Sequence, residues 1–338
     1  MPTRLVVPHG CVSRFEPALP GTFPGLRDSD RLIEIGLLNN MPDTALLETE
    51  RQFQNLLASR GRNSAVRLRL FALEEISRSE RARRHLAAEY GTLDDLKRSH
   101  LDALVITGAE PRANRIQDEI YWQALVEVLD WAGRNTLSTF ISCLAAQAAV
   151  LHFDGIVRRP LARKCFGLFD HEICADHPLV EGLDMPWRVA HSRWNELPEG
   201  ALRAASYVIL SASKAAGPNL FVRRQGESLF VLAQGHPEYG LDALPNEYRR
   251  DVRRFLSGER DDYPSIPCGC FDAEAEDALN RFRERVHRGK TVALMAEFPS
   301  IVSCEAAGGH RARSAGRIFD NWVLLVAVSK QRARIGFA

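Results

Sequence analysis

Apolar runs and amphipathic repeats alternate along the first half of the chain. Runs typical of buried or half-buried strands occupy residues 31–38, 65–73, 101–108 and 137–143. Apolar residues recur at helical spacing over residues 44–59 and 118–133, and residues 74–100 are charged and helix-forming. A run of small, helix-forming residues begins after residue 143. The order β-α-β-α-β-α-β-α predicts an α/β fold with a parallel sheet flanked by helices on both faces.

The second half of the chain is less regular. Residues 155–200 are predicted to be loop-rich, with several short segments. Strands are predicted at 207–211, 219–223 and 228–233, and helices at 247–256, 273–289 and 314–328. A Pro- and Gly-containing segment over 259–272 indicates a boundary or a long loop. We therefore expect an irregular N-terminal arm (1–30), a catalytic domain (31–258) and a C-terminal extension (259–338) that packs on the core or on a dimer partner.

Composition argues against several classes of function. A net charge of +1 gives no bulk attraction to nucleic acid or to a membrane surface. No apolar run reaches the ~20 residues that span a bilayer, and the first 24 residues lack the apolar core of a secretory signal. Seven cysteines, an odd number, argue against a disulfide framework and for a reducing cytoplasm. Cys268 and Cys270 have no companions at zinc spacing, so we predict no metal site and no cofactor.

The stretch over residues 137–150 carries the strongest chemical signal. A strand-forming run ends at Cys143, and a helix-forming run begins directly after it. Such a sharp turn exposes the side chain of the turn residue and directs the first N–H groups of the helix at whatever that side chain attacks. The helix N-terminus favours a thiolate, and its N–H groups can hold an oxyanion. From position alone, a nucleophile and a buried structural cysteine are both open.

A second signal, His236 with Glu238, follows the strand predicted over 228–233. Functional side chains of a parallel sheet gather at the carboxyl ends of its strands, so His236 can come within hydrogen-bond reach of Cys143. Glu238 can then orient the imidazole and stabilise its charged form. The three residues predict acyl chemistry in which Cys143 attacks, His236 moves the proton and Glu238 holds the ring.

These motifs resemble those of a known family. A cysteine at a strand-helix turn with a later Gly-His-Pro-Glu is similar to the class I glutamine amidotransferase-like fold. Further motifs resemble the homoserine O-acyltransferase (O-succinyltransferase) family more specifically, in the family's order over residues 32–328. They are Asn40-Met41-Pro42, Glu48 to Phe53, Ile106 to Ala109, Tyr121-Trp122, Cys143 to Ala149, Lys164, Gly167, His171, His177 to Leu179, His191 to Arg193, Gly235 to Tyr239, Glu247-Tyr248, Arg250-Asp251 and Asn321-Trp322.

The resemblance implies a ping-pong acyl transfer in methionine biosynthesis, carried out by a homodimer. An acyl-CoA, as a co-substrate, would acylate Cys143, and the γ-hydroxyl of L-homoserine would attack the resulting thioester. Arg250 matches the arginine that holds the α-carboxylate, for which a guanidinium offers a bidentate fork. Lys164 and Arg193 match positions that line the substrate pocket. The oxyanion hole would be the N–H of Leu144 and one N–H from the turn at Gly108.

Two departures from the family leave the substrates open. After Asn40-Met41-Pro42 the family usually has a lysine pair and a shorter link, whereas here Asp43 follows and no lysine is present, so a basic contribution to the acyl-CoA site is missing or moved. Arg112 stands where a Gly or Glu accompanies succinyl or acetyl transfer. It can pair with the carboxylate of a dicarboxylic acyl group, bind a CoA phosphate, or do neither. Homoserine is the leading acceptor and serine an alternative; a glutaminase or other amide hydrolase and a non-catalytic relative are further alternatives.

Overall fold

The computed structural model describes residues 32–58, 65–300 and 305–335, so the predicted N-terminal arm lies outside the described residues. The strands are β1 (Leu32–Leu38), β2 (Ala65–Phe71), β3 (Ala103–Ile106), β4 (Ser138–Ser142), β5 (Arg159–Ile173), β6 (Trp187–Glu196), β7 (Val208–Ser213), β8 (Gly217–Gln225) and β9 (Ser228–Ala233). The α-helices are α1 (Asp43–Leu57), α2 (Glu80–Glu89), α3 (Leu93–Arg98), α4 (Trp122–Asn135), α5 (Leu144–Asp154), α6 (Glu199–Ala204), α7 (Ala243–Leu256), α8 (Ala273–Arg288) and α9 (Glu305–Ile335). Short 3₁₀ helices lie at Ile116–Asp118, Pro178–Val180 and Val292–Glu297.

The strands form one sheet in the order β2-β1-β3-β4-β9-β8-β7-β5-β6. The predicted parallel sheet is confirmed for β2, β1, β3, β4 and β9, whereas the other strands add to it in antiparallel pairs. In the register of β4 with β9, Ser142 lies opposite Ala233. The chain therefore leaves both strands at the same edge, which brings the segments after residues 142 and 233 together.

The prediction of a loop-rich region over residues 155–200 is wrong. Strands β5 and β6 pair antiparallel from Arg159 opposite Glu196 to His171 opposite Trp187, with an irregularity after Pro160. Exposed charged residues interrupt the apolar pattern of the first half of β5, and its Pro and Gly residues resemble loop signals. Hydrogen bonds to β6 stabilise the strand in spite of this local composition.

Helices cover both faces of the sheet, as the alternating pattern predicts. In β3, Leu104 and Ile106 point to the face covered by α4, whereas Val105 points to the opposite face. On that opposite face α9 buries Phe319 and Trp322, and the Trp322 indole N–H donates to Ser138 Oγ at 2.9 Å. Helix α9 is longer than the predicted 314–328, and the proposed division into domains stays a prediction.

Helices α7 and α8 pack against each other beside the β5–β6 pair. Tyr248 and Val252 of α7 lie in one apolar cluster with Leu279 and Phe282 of α8, and Phe166 of β5 joins them. This contact fixes the face that α7 turns towards the carboxyl edge of the sheet. In the part of the chain that the structure describes, no helix has both the length and the apolar character that crossing a bilayer requires.

Candidate active site

Cys143 lies at the turn where β4 ends and α5 begins. Its backbone has φ 52° and ψ −119°, a conformation that costs on the order of 1–3 kcal/mol for a residue other than glycine. Its N–H donates to the carbonyl of Ala233 at 2.7 Å, so the neighbouring strand β9 holds the turn in place. The side chain is half-buried. The geometry is that of a strained strand-to-helix turn that presents a nucleophile at the sheet edge.

His236 and Glu238 form a buried pair beside this turn. His236 Nδ1 lies 2.9 Å from Glu238 Oε1, and both residues are less than a tenth exposed. The Cys143 side chain also acts electrostatically on the ring, and since Nδ1 faces the carboxylate, Nε2 is the atom available to sulfur. Burial alone lowers the pKa of His236, but the negative charges of Cys143 and Glu238 and their hydrogen bonds outweigh it and raise the pKa well above its usual value. The site therefore favours the protonated form of His236.

A second group of residues holds this imidazole from behind, and sequence reasoning missed its central contact. The Tyr239 ring stacks on His236 with centroids 4.1 Å apart, and the Tyr239 hydroxyl donates to Glu247 Oε1 at 2.6 Å. Ser192 donates to the other oxygen of Glu247, also at 2.6 Å. The backbone N–H of His236 donates to the carbonyl of Ala190 at 2.8 Å. Helix α7, which follows closely in sequence, and strand β6, which is distant in sequence, thus position the ring together.

The turn after β3 approaches the N-terminus of α5. A Cβ atom on Gly108 would lie 3.2 Å from the backbone nitrogen of Leu144 and 3.5 Å from the carbonyl oxygen of Ser142. The two predicted donors, at Gly108 and Leu144, are therefore in neighbouring backbone segments next to Cys143. Such paired N–H groups suit a developing oxyanion, and the role itself stays a prediction.

Lys164 and Arg250 lie on either side of a buried carboxylate. Lys164 Nζ lies 3.4 Å from Asp251 Oδ2 and 3.8 Å from Glu247 Oε2, and 3.9 Å above the Phe166 ring. Arg250 Nη2 lies 3.3 Å from Asp251 Oδ1, and its side chain is about a third exposed. Arg250 is thus a residue of α7, and Lys164 of β5 lies next to the same helix. Arg250 keeps an accessible part with which to bind a carboxylate.

Arg193 is placed differently from the other predicted substrate-binding residues. It is only 4% exposed, and its donors face the protein. Nη1 donates to the carbonyl of Asn195 at 2.8 Å, Nη2 donates to the carbonyl of Ala216, and Nε approaches His191 Nδ1 at 3.4 Å. These contacts fasten β6 to the segment before β8. Its position supports the pocket wall rather than presenting a free guanidinium.

Arg112 lines a cleft of about 360 Å³ between the turn after Gly108 and the segment before α1. The side chain of Arg112 is exposed, whereas its backbone N–H donates to Glu119 Oε1 at 2.8 Å. Across the same cleft Arg254 donates to Glu110 at 2.7 Å. Burial raises the pKa of Glu110, but the hydrogen bond and charge of Arg254 outweigh this and lower it. The cleft therefore carries exposed cationic charge at its rim.

The wall of this cleft contains buried polar atoms that lack partners among the described residues. They are Asn40 Oδ1, Arg78 Nε and Tyr121 OH. An unsatisfied buried polar group typically costs about 1–3 kcal/mol. Arg78 also approaches Asp43 at 3.4 Å and donates to the carbonyl of Met41. These atoms are therefore available to form hydrogen bonds with a polar ligand in the cleft.

Arg158 lies near Cys143, whereas Cys268 and Cys270 have no part in the site. Arg158, which has no distinguishing sequence signal, donates to Gln147 at 3.2 Å, and its charge interacts with that of Cys143. Cys268 and Cys270 form no disulfide among the described residues, and Cys268 pairs through its backbone with Gly167 of β5. Among the described side chains, no group of His, Cys, Asp and Glu is arranged to hold a metal ion.

Comparisons with known proteins place the chain among named relatives. A family model described as "HTS: Homoserine O-succinyltransferase" matches residues 26–296. A protein of Rhodopseudomonas palustris named homoserine O-succinyltransferase is 45% identical over 297 residues, which are 88% of this chain and 89% of that protein. One of Methylorubrum extorquens with the same name is 46% identical over 297 residues, 88% of each chain.

Solved structures with a similar arrangement are distant in sequence. A glutamine amido transferase from Methylobacillus flagellatus is 11% identical, covers 87% of this chain and 95% of its own, and has a TM-score of 0.48. A glutamine amidotransferase from Thermotoga maritima is 12% identical, covers 87% of this chain and 98% of its own, and has a TM-score of 0.44. The assignment of a family rests on the sequence relatives.

Proposed function

The chain belongs to the homoserine O-succinyltransferase family, and from this premise we propose that it transfers an acyl group from an acyl-CoA to the hydroxyl of L-homoserine through a Cys143 thioester. The observation that carries the proposal is the strained turn at Cys143 with the buried His236–Glu238 pair beside it. The relatives' names favour succinyl as the acyl group. Transfer of this group to homoserine would be a step of methionine biosynthesis.

In the first half-reaction the Cys143 thiolate attacks the carbonyl carbon of the acyl-CoA thioester. The tetrahedral oxyanion is stabilised by the N–H groups at Leu144 and Gly108. When the intermediate collapses, the carbon–sulfur bond to CoA breaks, and protonated His236 donates its proton to the departing CoA thiolate. Cys143 now carries the acyl group as a thioester, and His236 is neutral.

In the second half-reaction the acceptor hydroxyl attacks the Cys143 thioester. Neutral His236 takes the hydroxyl proton as the carbon–oxygen bond forms, and Glu238 stabilises the resulting imidazolium. Collapse of the second oxyanion expels the Cys143 thiolate and leaves the acyl group on the oxygen of the amino acid. In the acyl-enzyme Cys143 carries no charge, so Glu238 is the group that raises the pKa of His236 and favours its protonated form.

Recognition of the two substrates is divided between α7 and the cleft. Arg250 has an accessible guanidinium next to Asp251 and suits the α-carboxylate of the amino acid. Lys164 Nζ lies 3.4 Å from the other oxygen of Asp251 and is a second cation close to this site. The cleft with Arg112 at its rim suits the acyl part of the donor, since a free carboxylate on a succinyl group would meet cationic charge there.

Mass spectrometry of the intact protein tests the proposal. Incubation with succinyl-CoA in the absence of an acceptor is expected to add one acyl group to the wild-type protein and none to Cys143→Ala. Cys174→Ala provides the matched control, since Cys174 is an exposed free thiol outside the site. Addition that persists in Cys143→Ala, or no addition with succinyl-CoA or acetyl-CoA, would refute the thioester.

A substrate matrix then separates the acceptors. The acyl-enzyme is mixed with L-homoserine, L-serine or water, and release of the acyl group is followed. Fast transfer to homoserine supports the proposal. Preferential transfer to serine would identify serine as the acceptor in place of homoserine. Turnover of glutamine to glutamate without any acyl-CoA would instead identify an amide hydrolase.

A further inference from the structure

Helix α7 presents a row of arginines to a second cleft, separate from the one lined by Arg112. Asn246, Arg249, Arg250 and Arg253 recur at spacings of three and four residues and so share one face of the helix. The opposite wall is apolar and comes from the 3₁₀ helix Val292–Glu297 and its neighbourhood. The cleft has a volume of about 600 Å³, and none of the described residues that line it is acidic.

The charge in this cleft has no internal counterpart in the described part of the chain. Some surface arginines elsewhere pair with carboxylates, for example Arg188 with Asp170 at 2.7 Å. Arg249 and Arg253 are exposed, and neither forms an ion pair with a side chain that the structure describes. Arg249 instead lies 5.7 Å above the Phe298 ring. Two unneutralised guanidinium groups over an apolar wall favour an anionic ligand.

The arginine cleft adjoins the candidate active site through α7 itself. On the inner face of the helix, Glu247 contacts Tyr239 and Asp251 contacts Lys164. Arg250 belongs to both places, because it lines the cleft and pairs with Asp251 at 3.3 Å. A ligand with its charged end at Arg249 and Arg253 and a flexible arm along Arg250 would therefore be directed towards Cys143.

We infer that this cleft binds the phosphate-bearing nucleotide end of the acyl-CoA donor, an inference that rests on the proposed function. Arginine binds phosphate oxygens through paired N–H donors, which suits Arg249 and Arg253 to two phosphate groups. The apolar wall at Val292 and Met295 offers a surface for the base of the nucleotide. This placement also supplies the basic contribution that is absent after Pro42.

Two thioesters of the same acyl group test the inference. Succinyl-CoA carries the phosphates, whereas the succinyl thioester of N-acetylcysteamine lacks them. In the double variant Arg249→Ala/Arg253→Ala, the KM for succinyl-CoA is expected to rise about tenfold or more, because two charge-assisted contacts are lost. The kcat and the kinetics with the short thioester are expected to stay unchanged. Arg188→Ala/Arg203→Ala removes two exposed, ion-paired arginines and is the matched control.

The other outcomes decide between the inference and the function it rests on. A KM for succinyl-CoA that stays the same, or an equal loss with both thioesters, would overturn the inference. Binding of adenosine 3′,5′-bisphosphate, measured by calorimetry, is expected in the wild type and not in the double variant. If the wild type binds this nucleotide but transfers no acyl group, the cleft stands and the proposed function fails; if it does not bind, the inference fails.

Discussion

Replacing Glu238 by glutamine isolates the charge that holds the candidate base. The side chain keeps its size and its oxygen acceptor, but the negative charge 2.9 Å from His236 Nδ1 is lost. Both residues are buried, so water does not screen the change. In the acyl-enzyme the Cys143 thiolate is absent as well, and Glu238 is then the main group that favours an imidazolium. The variant should therefore affect transfer to the acceptor directly.

The expected loss follows from the kind of contact that is removed. A hydrogen bond to a charged group contributes about 1.5–3 kcal/mol, compared with about 1 kcal/mol for a neutral one. If the transition state of acyl transfer has an imidazolium at His236, most of this difference appears in the barrier. The rate of acyl transfer should then fall about 2- to 30-fold. The pKa of His236 should fall too, because burial, which lowers it, is no longer opposed by Glu238.

Single-turnover transfer from the acyl-enzyme to homoserine measures both effects. The rate should rise with pH as His236 loses its proton, and this rise should occur at lower pH in Glu238→Gln than in the wild type. Glu50→Gln is the matched control, because Glu50 Oε2 lies 2.9 Å from His85 Nε2 in a pair outside the site. If the maximal rate falls but the rate rises over the same pH range as in the wild type, Glu238 does not set the pKa of His236. If the maximal rate at high pH is the same as in the wild type, Glu238 has no part in acyl transfer.

Further predictions concern the acceptor, the fold and acid stability. Arg250→Ala should raise the KM for homoserine about tenfold or more, and Arg250→Lys should recover part of it, as steady-state kinetics can check. Gly167→Ala should lower the free energy of unfolding in urea by about 2 kcal/mol or more, because a Cβ there would lie 2.3 Å from the carbonyl of Cys268; Gly155→Ala, with positive φ but open space, should lose less. Burial and the charge of Arg193 lower the pKa of His171 to about 4. Its contribution to stability is therefore present above pH ~6.5 and lost as the pH falls towards 4, so His171→Asn should flatten the decline of urea midpoints over that range, and an unchanged decline would refute this.

The parallel half of the sheet and the turn at Cys143 were accessible from the sequence. Buried parallel strands have short apolar runs, and each run is followed by a helical repeat, so local pattern and global position agree. The same order places Cys143 and His236 at carboxyl ends of neighbouring strands, since β4 pairs with β9. Local signals sufficed here because β3, β4 and β9 are buried throughout, β1 is largely buried, and the edge strand β2 shows a regular alternation of its own.

The β5–β6 pair could not be predicted in the same way. Its strands lie at the far edge of the sheet, where exposed charged side chains replace the apolar run. Arg193 illustrates the consequence for the site. Its residue type indicates a surface or substrate-binding cation, but the fold buries it against the carbonyls of Asn195 and Ala216. The role of such a residue depends on partners distant in sequence, which a local pattern does not contain.

The part of the fold that the pattern concealed is also the part that positions the candidate base. In strand β6 the carbonyl of Ala190 accepts a hydrogen bond from the backbone N–H of His236, and the hydroxyl of Ser192 donates to one carboxylate oxygen of Glu247. Glu247 in turn holds the hydroxyl of Tyr239, whose ring stacks on His236. Chemistry that requires proton transfer in both directions requires a ring that keeps its orientation in both charge states. The parallel strands therefore supply the reacting groups, whereas the antiparallel edge and α7 fix the geometry in which they react.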